Sequence, residues 1–146
     1  MTDRTNLARN RLAVHRQPRV VLTSFGYGHG EPPEADLTID ARRYLRDPHV
    51  TAAFRTLTGL DEAVRKHVLN TPGASATVCA VVAWTVGLVA ELQATTGART
   101  ITIAVGCVGG RHRSVALIEE TAAALRVHDI QAEIHHRDVR QPVIRR

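Results

Sequence analysis

The sequence predicts one small α/β domain, a mainly parallel sheet of about four strands flanked by helices. Three observations carry that reading. Short β-branched runs alternate with longer amphipathic or apolar runs along the chain, as strands and helices do when they pack in layers. A strand–helix–strand succession occupies residues 100–136, which implies a right-handed crossover and parallel pairing. The chain has 146 residues, 44% hydrophobic and 23% charged, proportions that give a single domain its own core.

The elements follow in order. Residues 1–18 are polar and arginine-rich and read as a flexible basic arm ending at Pro18. The arm has no apolar h-region, so it is not a secretory signal. Residues 19–25 (RVVLTSF) are β-branched and run into glycines, the mark of a first strand. Residues 26–33 form a loop, and 37–40 (LTID) a short strand. Residues 41–55 are ambiguous, with a turn at Asp47-Pro48. Thr58 and Asp61 have the spacing of a capping box. Behind them Leu60, Ala63, Val64, His67 and Val68 share one helical face. Pro72-Gly73 ends that helix. Residues 74–92 then read as a largely buried helix with Trp84 in the core, closed near Gly97. The uncharged run 70–90 is interrupted by Pro72, Gly73, Ser75, Thr77, Thr85 and Gly87. A membrane span needs roughly 20 predominantly apolar residues, so the run reads as a core helix and no membrane partner is expected. Residues 100–105 form a buried strand, 106–113 a glycine-rich turn, 114–128 a helix and 130–136 a last strand. That strand is expected beside the strand ending at 105.

Charge is unevenly placed. The net charge is +5, yet residues 1–20 carry +4 and 137–146 carry +3, so the body is mildly acidic. Only Lys66 among the 19 basic residues is a lysine. Arginine suits bidentate phosphate contacts, and Arg137, Arg140, Arg145 and Arg146 in and before the basic tail 141–146 are candidates for RNA contact. Five aromatic residues are too few for base-stacking platforms. Two cysteines without CxxC spacing exclude a disulfide framework and the usual zinc motifs. A reducing, cytoplasmic setting is expected.

The chemistry concentrates in Gly106, Cys107, Val108, Gly109, Gly110, Arg111, His112, Arg113 and Ser114. This stretch joins the end of a buried strand to the start of a helix, where open α/β sheets bind ligands. Three glycines let backbone N–H groups converge on an anion. The helix N-terminus adds partial positive charge, and Arg111, His112 and Arg113 add side-chain donors. The nucleotide pattern GxxxxGK[ST] fails, and no Gly-Lys pair occurs. Cys107, Arg113 and Ser114 also fit C-x5-R-S, the spacing of cysteine-dependent phosphatases. In that alternative Cys107 is the nucleophile and Arg113 the phosphate clamp. The leaving-group acid would come from Asp36, Asp40, Asp47 or Asp138.

Several short motifs in a fixed order resemble the C-terminal domain of the RapZ (YvcJ) family. They are Ser24-Phe25-Gly26-Tyr27-Gly28-His29-Gly30, Ala35-Asp36, Asp40-Ala41-Arg42, Asp47-Pro48-His49, Leu57-Thr58-Gly59-Leu60-Asp61, Val64, Ile103 through Val115, and His136-Arg137-Asp138. The resemblance covers residues 19–140. It implies a bacterial regulatory domain that binds glucosamine-6-phosphate or a similar sugar phosphate, and structured small RNA, as an RNase adapter. It assigns the sugar-phosphate site to Gly106 through Ser114, with Ser24 and His29 lining the same pocket. The chain departs from the pattern where Val108 replaces threonine and Arg111 replaces lysine. Between Asp40 and Pro48 it has one extra residue, and Asp47 replaces asparagine. It also lacks the Walker motif of full-length members, so nucleotide hydrolysis is not carried over.

The expected function is therefore a binding module rather than an enzyme, with the cysteine-dependent phosphatase as the alternative. A phosphorylated small molecule is the expected partner. RNA, a protein or a second copy stay open as further partners. No cofactor is expected. His112, His135 and His136 could approach one another, but neighbours on a strand face opposite ways and no zinc spacing supports a metal. His112 is expected to donate to the anion instead. His67 reads as a core histidine. Asp36, Asp40 and Arg42 read equally as ion pairs or pocket wall.

Overall fold

A computed structural model describes residues 17–45, 52–95 and 99–144. The arm, apart from Gln17 and Pro18, lies outside the described residues, as do Asp47, Gly97, Arg145 and Arg146. The strands are β1 (Arg19–Gly26), β2 (Leu37–Asp40), β3 (Thr100–Cys107) and β4 (Ala132–His136). The helices are α1 (Glu62–Leu69), α2 (Ala74–Gln93) and α3 (Arg113–Val127). The sheet is parallel throughout, in the order β2-β3-β1-β4.

The expected neighbour of β4 was β3; the structure puts β1 between them. Strand β1 pairs with β3 along its full length, from Arg19 opposite Thr100 to Gly26 opposite Cys107. The crossover through α3 therefore passes one strand and lays β4 on the far edge of β1. One face of β1 and β3 is buried through Val20, Leu22, Ile101, Ile103 and Val105. It meets Val78, Val81 and Val89 of α2 and Leu117, Ile118 and Leu125 of α3 in one core. Val64 and Val68 of α1 form a smaller cluster with Ala116.

Two helix expectations change. Helix α1 begins after Asp61, three residues beyond Thr58. The Asp61 carboxylate accepts the Thr58 N–H at 2.8 Å, while the Thr58 hydroxyl accepts the Leu60 N–H at 3.2 Å. The capping pair thus closes a turn of its own ahead of the helix. Leu60 falls in that turn and is 51% exposed, off the apolar face. His67 does sit edge-on to Phe54, with ring centroids 5.2 Å apart.

Helix α2 is not buried all round. Only Ala74, Val78, Val81, Thr85 and Val89 are buried, a single stripe. Trp84 is 37% exposed rather than core. Ala76, Ala80, Ala83, Gly87 and Ala90 fill the outer side. These small residues expose little apolar area, so an uncharged helix need not be an enclosed one. By length and composition α2 could cross a membrane, with 28% of its most apolar window buried in the fold. The buried Thr85 hydroxyl donates to the Val81 carbonyl at 2.7 Å, which satisfies it within the helix.

Candidate functional site

Parallel strands put all their carboxyl ends at one edge of the sheet. Register brings Asp40 opposite Gly106, Gly26 opposite Cys107, and Ser24 opposite His136. Two glycine-rich turns therefore meet there, one at residues 26–30 and one at 106–112. They interlock closely. A Cβ on Gly26 would lie 2.5 Å from the carbonyl carbon of Gly109, and one on Gly110 2.6 Å from the Gly26 nitrogen. Gly110 also has φ of 69°, a left-handed conformation that glycine adopts without a Cβ penalty.

The backbone accounting of the second turn is asymmetric. Its carbonyls are tied back into the fold. Gly106 accepts from Ala41 N–H at 2.8 Å, Val108 from Gly28 at 2.9 Å, Arg111 from Gly59 at 2.7 Å and His112 from Ala116 at 2.9 Å. The N–H groups of Val108, Gly109, Gly110 and Arg111 donate to no acceptor among the described residues. The turn thus spends its acceptors and keeps its donors. Helix α3 starts at Arg113 and adds the positive end of its dipole. Gly109 has nothing within 4 Å of its would-be Cβ, so the approach there is open. This is the electrostatic shape of an anion nest.

The cationic side chains take other directions. His112 is buried, and its Nε2 lies 2.9 and 2.8 Å from the Phe54 and Leu57 carbonyls. Arg113 is buried, and its Nη1 donates to the Leu45 carbonyl at 3.0 Å. Arg111 Nη1 donates to the Val139 and Gln141 carbonyls at 3.3 and 3.1 Å. These carbonyls belong to irregular segments that have no ladder of their own, and buried carbonyls need donors. The run expected to grip an anion is in this structure the set of donors that holds those segments down.

The Cys107 sulfur is buried, 3.2 Å from the Ser114 hydroxyl. Ser24 is fully buried and turned to His136 Nδ1 at 2.7 Å, while His136 Nε2 meets Glu119 at 2.8 Å. Ser24 therefore ties β1 to β4 instead of lining an open pocket. His29 is half-buried, and its Nε2 is buried with no partner among the described residues. Asp138 is buried and accepts the Gly26 N–H at 2.8 Å, a role no local pattern announces. Glu119 is likewise visible only once β4 lies beside β1.

Of the candidate RNA contacts, Arg137 is pinned to the Glu31 carbonyl at 2.6 Å and to Asp138 at 2.9 Å, and Arg140 is exposed. Asp36 caps Thr102 on β3, accepting its N–H at 2.8 Å. Asp40 pairs with Arg42 at 2.7 Å, and the Arg42 guanidinium lies 3.6 Å over the Tyr27 ring. Hydrogen bonding from Arg42 holds the Asp40 carboxyl below its ordinary range. Burial, then the Asp40 charge, raises the Tyr27 phenol above its own. His135 turns to Glu133 at 2.7 Å, away from His136. Among the described residues no three His, Cys, Asp or Glu side chains gather as metal ligands.

Residues 18–140 match the family described as the RapZ C-terminal domain. Among similar curated proteins, a nucleotide-binding protein of Streptomyces coelicolor is 41% identical over 121 residues, 83% of this chain and 40% of that protein. One of Thermobifida fusca is 44% identical over the same length and shares. One of Salinispora arenicola is 44% identical over 128 residues, 85% of this chain and 41% of its own. The chain thus spans about 40% of the length of the curated relatives it matches.

Proposed function

The chain belongs to the RapZ C-terminal domain family, and from that membership we propose that it is a regulatory binding domain for a phosphorylated metabolite of the glucosamine-6-phosphate kind, seated on the 106–114 turn. The observation that carries this reading is the set of unspent N–H groups from Val108 to Arg111 above the start of α3. Backbone donors at a helix N-terminus favour a phosphate without requiring a side-chain cation. The phosphate is held mainly by backbone, with Arg111 at the rim. Asp40 and His29, from the neighbouring strand end and turn, supply polar groups for the sugar. The curated relatives are named for nucleotide binding, and this chain's turn lacks the Gly-Lys-Ser/Thr ending of a nucleotide loop. Calorimetric titration with glucosamine-6-phosphate, glucosamine and inorganic phosphate tests the proposal. Binding that needs both sugar and phosphate supports it. Binding of none of the three overturns it.

A second reading is a cysteine-dependent phosphatase. The Ser114 hydroxyl, in the first turn of α3, lies within hydrogen-bond reach of the Cys107 sulfur. Against it, Cys107 is buried and Arg113 is committed to the Leu45 carbonyl. Turnover of a phosphate ester that Cys107→Ser abolishes, with binding retained, would favour the enzyme. RNA binding through Arg140, Arg145 and Arg146 is a further role that the family resemblance suggests. It would weaken with salt.

A further inference from the structure

Resting on the reading that the 106–114 turn binds phosphate, we infer that residues 139–144 are a strap along the edge of that site, held down by Arg111 and lifted when an anion claims the arginine. The strap touches both glycine turns. Arg111 Nη1 donates to two of its carbonyls, Val139 and Gln141. Three residues on, the Ile144 Cδ1 occupies the space where a side chain on Gly28 would begin. The same would-be Cβ lies 3.2 Å from the Val108 carbonyl, so Ile144 sits where the two turns join. At its base the strap is fixed by Asp138, whose carbonyl accepts the Gln141 N–H at 3.0 Å and whose carboxylate accepts the Gly26 N–H.

The neighbourhood of the strap holds unsatisfied groups. Arg111 Nε and His29 Nε2 are buried without a partner among the described residues. A buried polar group without a partner destabilises the arrangement that holds it. Arg111 meanwhile gives its hydrogen bonds to neutral carbonyls, and a charge-assisted pair with a phosphate is roughly twice as strong. An oxyanion at the open N–H groups thus offers Arg111 a better acceptor, and the tail then loses its clamp. Ile144 on Gly28 then holds its end. Binding and release of the tail are thereby linked, and the backbone beside the exposed Arg140 is freed by the ligand.

Two measurements on the full chain test this, with inorganic phosphate and glucosamine-6-phosphate as probes. The first is their affinity for the chain and for Ile144→Asn, a change at the strap's end that leaves the turn intact. The second is tryptic cleavage after Arg140, followed by mass spectrometry of the peptide beginning at Gln141. The inference expects Ile144→Asn to bind more tightly, about tenfold if the strap is closed nine-tenths of the time. It also expects either probe to speed cleavage after Arg140. Equal affinities with cleavage unchanged or slowed would overturn the strap and leave the binding site standing. Failure of both probes to bind either protein would overturn the binding reading itself, and the strap with it.

Discussion

Two glycine-rich turns lie side by side at the carboxyl edge of the sheet, one closed and the other open. In the 26–30 turn the N–H groups of Gly26 and Gly28 are spent, Gly26 on Asp138 at 2.8 Å and Gly28 on the Val108 carbonyl at 2.9 Å. In the 106–112 turn four successive N–H groups are unspent among the described residues. Both stretches are glycine-rich, and they do different work. Gly26 and Gly110 are glycine because two backbones touch there. Gly109 faces open space. The number of glycines therefore does not mark an anion site. The fate of the N–H groups does.

The largest effect that would break this contrast comes from adding one methyl to either of two adjacent glycines. In Gly110→Ala the new Cβ would meet the Gly26 nitrogen at 2.6 Å and the Asp138 Cβ at 2.9 Å, at φ of 69°. Neither neighbour is a flexible side-chain end. The expected loss is about 3 kcal/mol, from a left-handed alanine and overpacking together. Gly109→Ala should fold within about 0.5 kcal/mol of the parent, yet weaken phosphate binding because its methyl stands in the open approach. Urea unfolding and phosphate titration read both. A Gly110→Ala protein as stable as the parent would mean that the turns do not interlock.

The next largest effect separates the two arginines of the open turn. Arg113 is buried on the Leu45 carbonyl and Arg111 half-buried on the tail. Arg113→Ala leaves a cavity and a carbonyl without its donor, for an expected loss of about 2 kcal/mol. Arg111→Ala should cost well under about 1 kcal/mol, as for most changes near a surface. Its signature is instead faster tryptic cleavage after Arg140 without any phosphate present. If both variants lost the same stability, the division of labour between structural and rim arginine would be wrong.

Much of this architecture was legible in the sequence, and the parts that were not have a common cause. Period and turn chemistry are local, so β2 was read to the residue and the glycine-rich turn was found between β3 and α3. The place of β4 beside β1 was not readable, because strand–helix–strand gives a direction of pairing and not the number of strands crossed. Helix α2 is buried along one stripe only, which the sequence does not reveal, since an uncharged run has the same pattern whether one side or all sides are covered. At the turn, residue types told of donors but not of their aim. His112 and Arg113 were expected to face an anion. They face the carbonyls of Phe54, Leu57 and Leu45, acceptors supplied by the ambiguous segment 41–55 and by Leu57 just beyond it. Asp138 meets the Gly26 N–H, and Glu119 meets His136, only once the chain has folded β4 against β1 and α3.

The smallest expected effect concerns the rim that joins the two turns. Asp40 stands opposite Gly106 of the open turn, and its partner Arg42 lies over Tyr27 of the closed one. Hydrogen bonding from Arg42 is the main reason that the Asp40 carboxyl is held below its ordinary value. A carboxyl depressed in the folded state contributes stability above its unfolded pKa of about 3.9, and that contribution is lost as pH falls through the folded value. The pair is partly exposed and salt screens it, so the contribution is small. It is best isolated as a difference. Thermal unfolding of the parent and of Arg42→Ala should differ at pH 6, and the two should converge as the pH falls through the lowered Asp40 value and that carboxyl is protonated in both. Other carboxylates titrate alike in the two proteins and drop out of the comparison. A difference that persists unchanged in acid would assign the role of Arg42 to its stacking on Tyr27 and not to its pairing with Asp40. The rim would then belong to the closed turn alone.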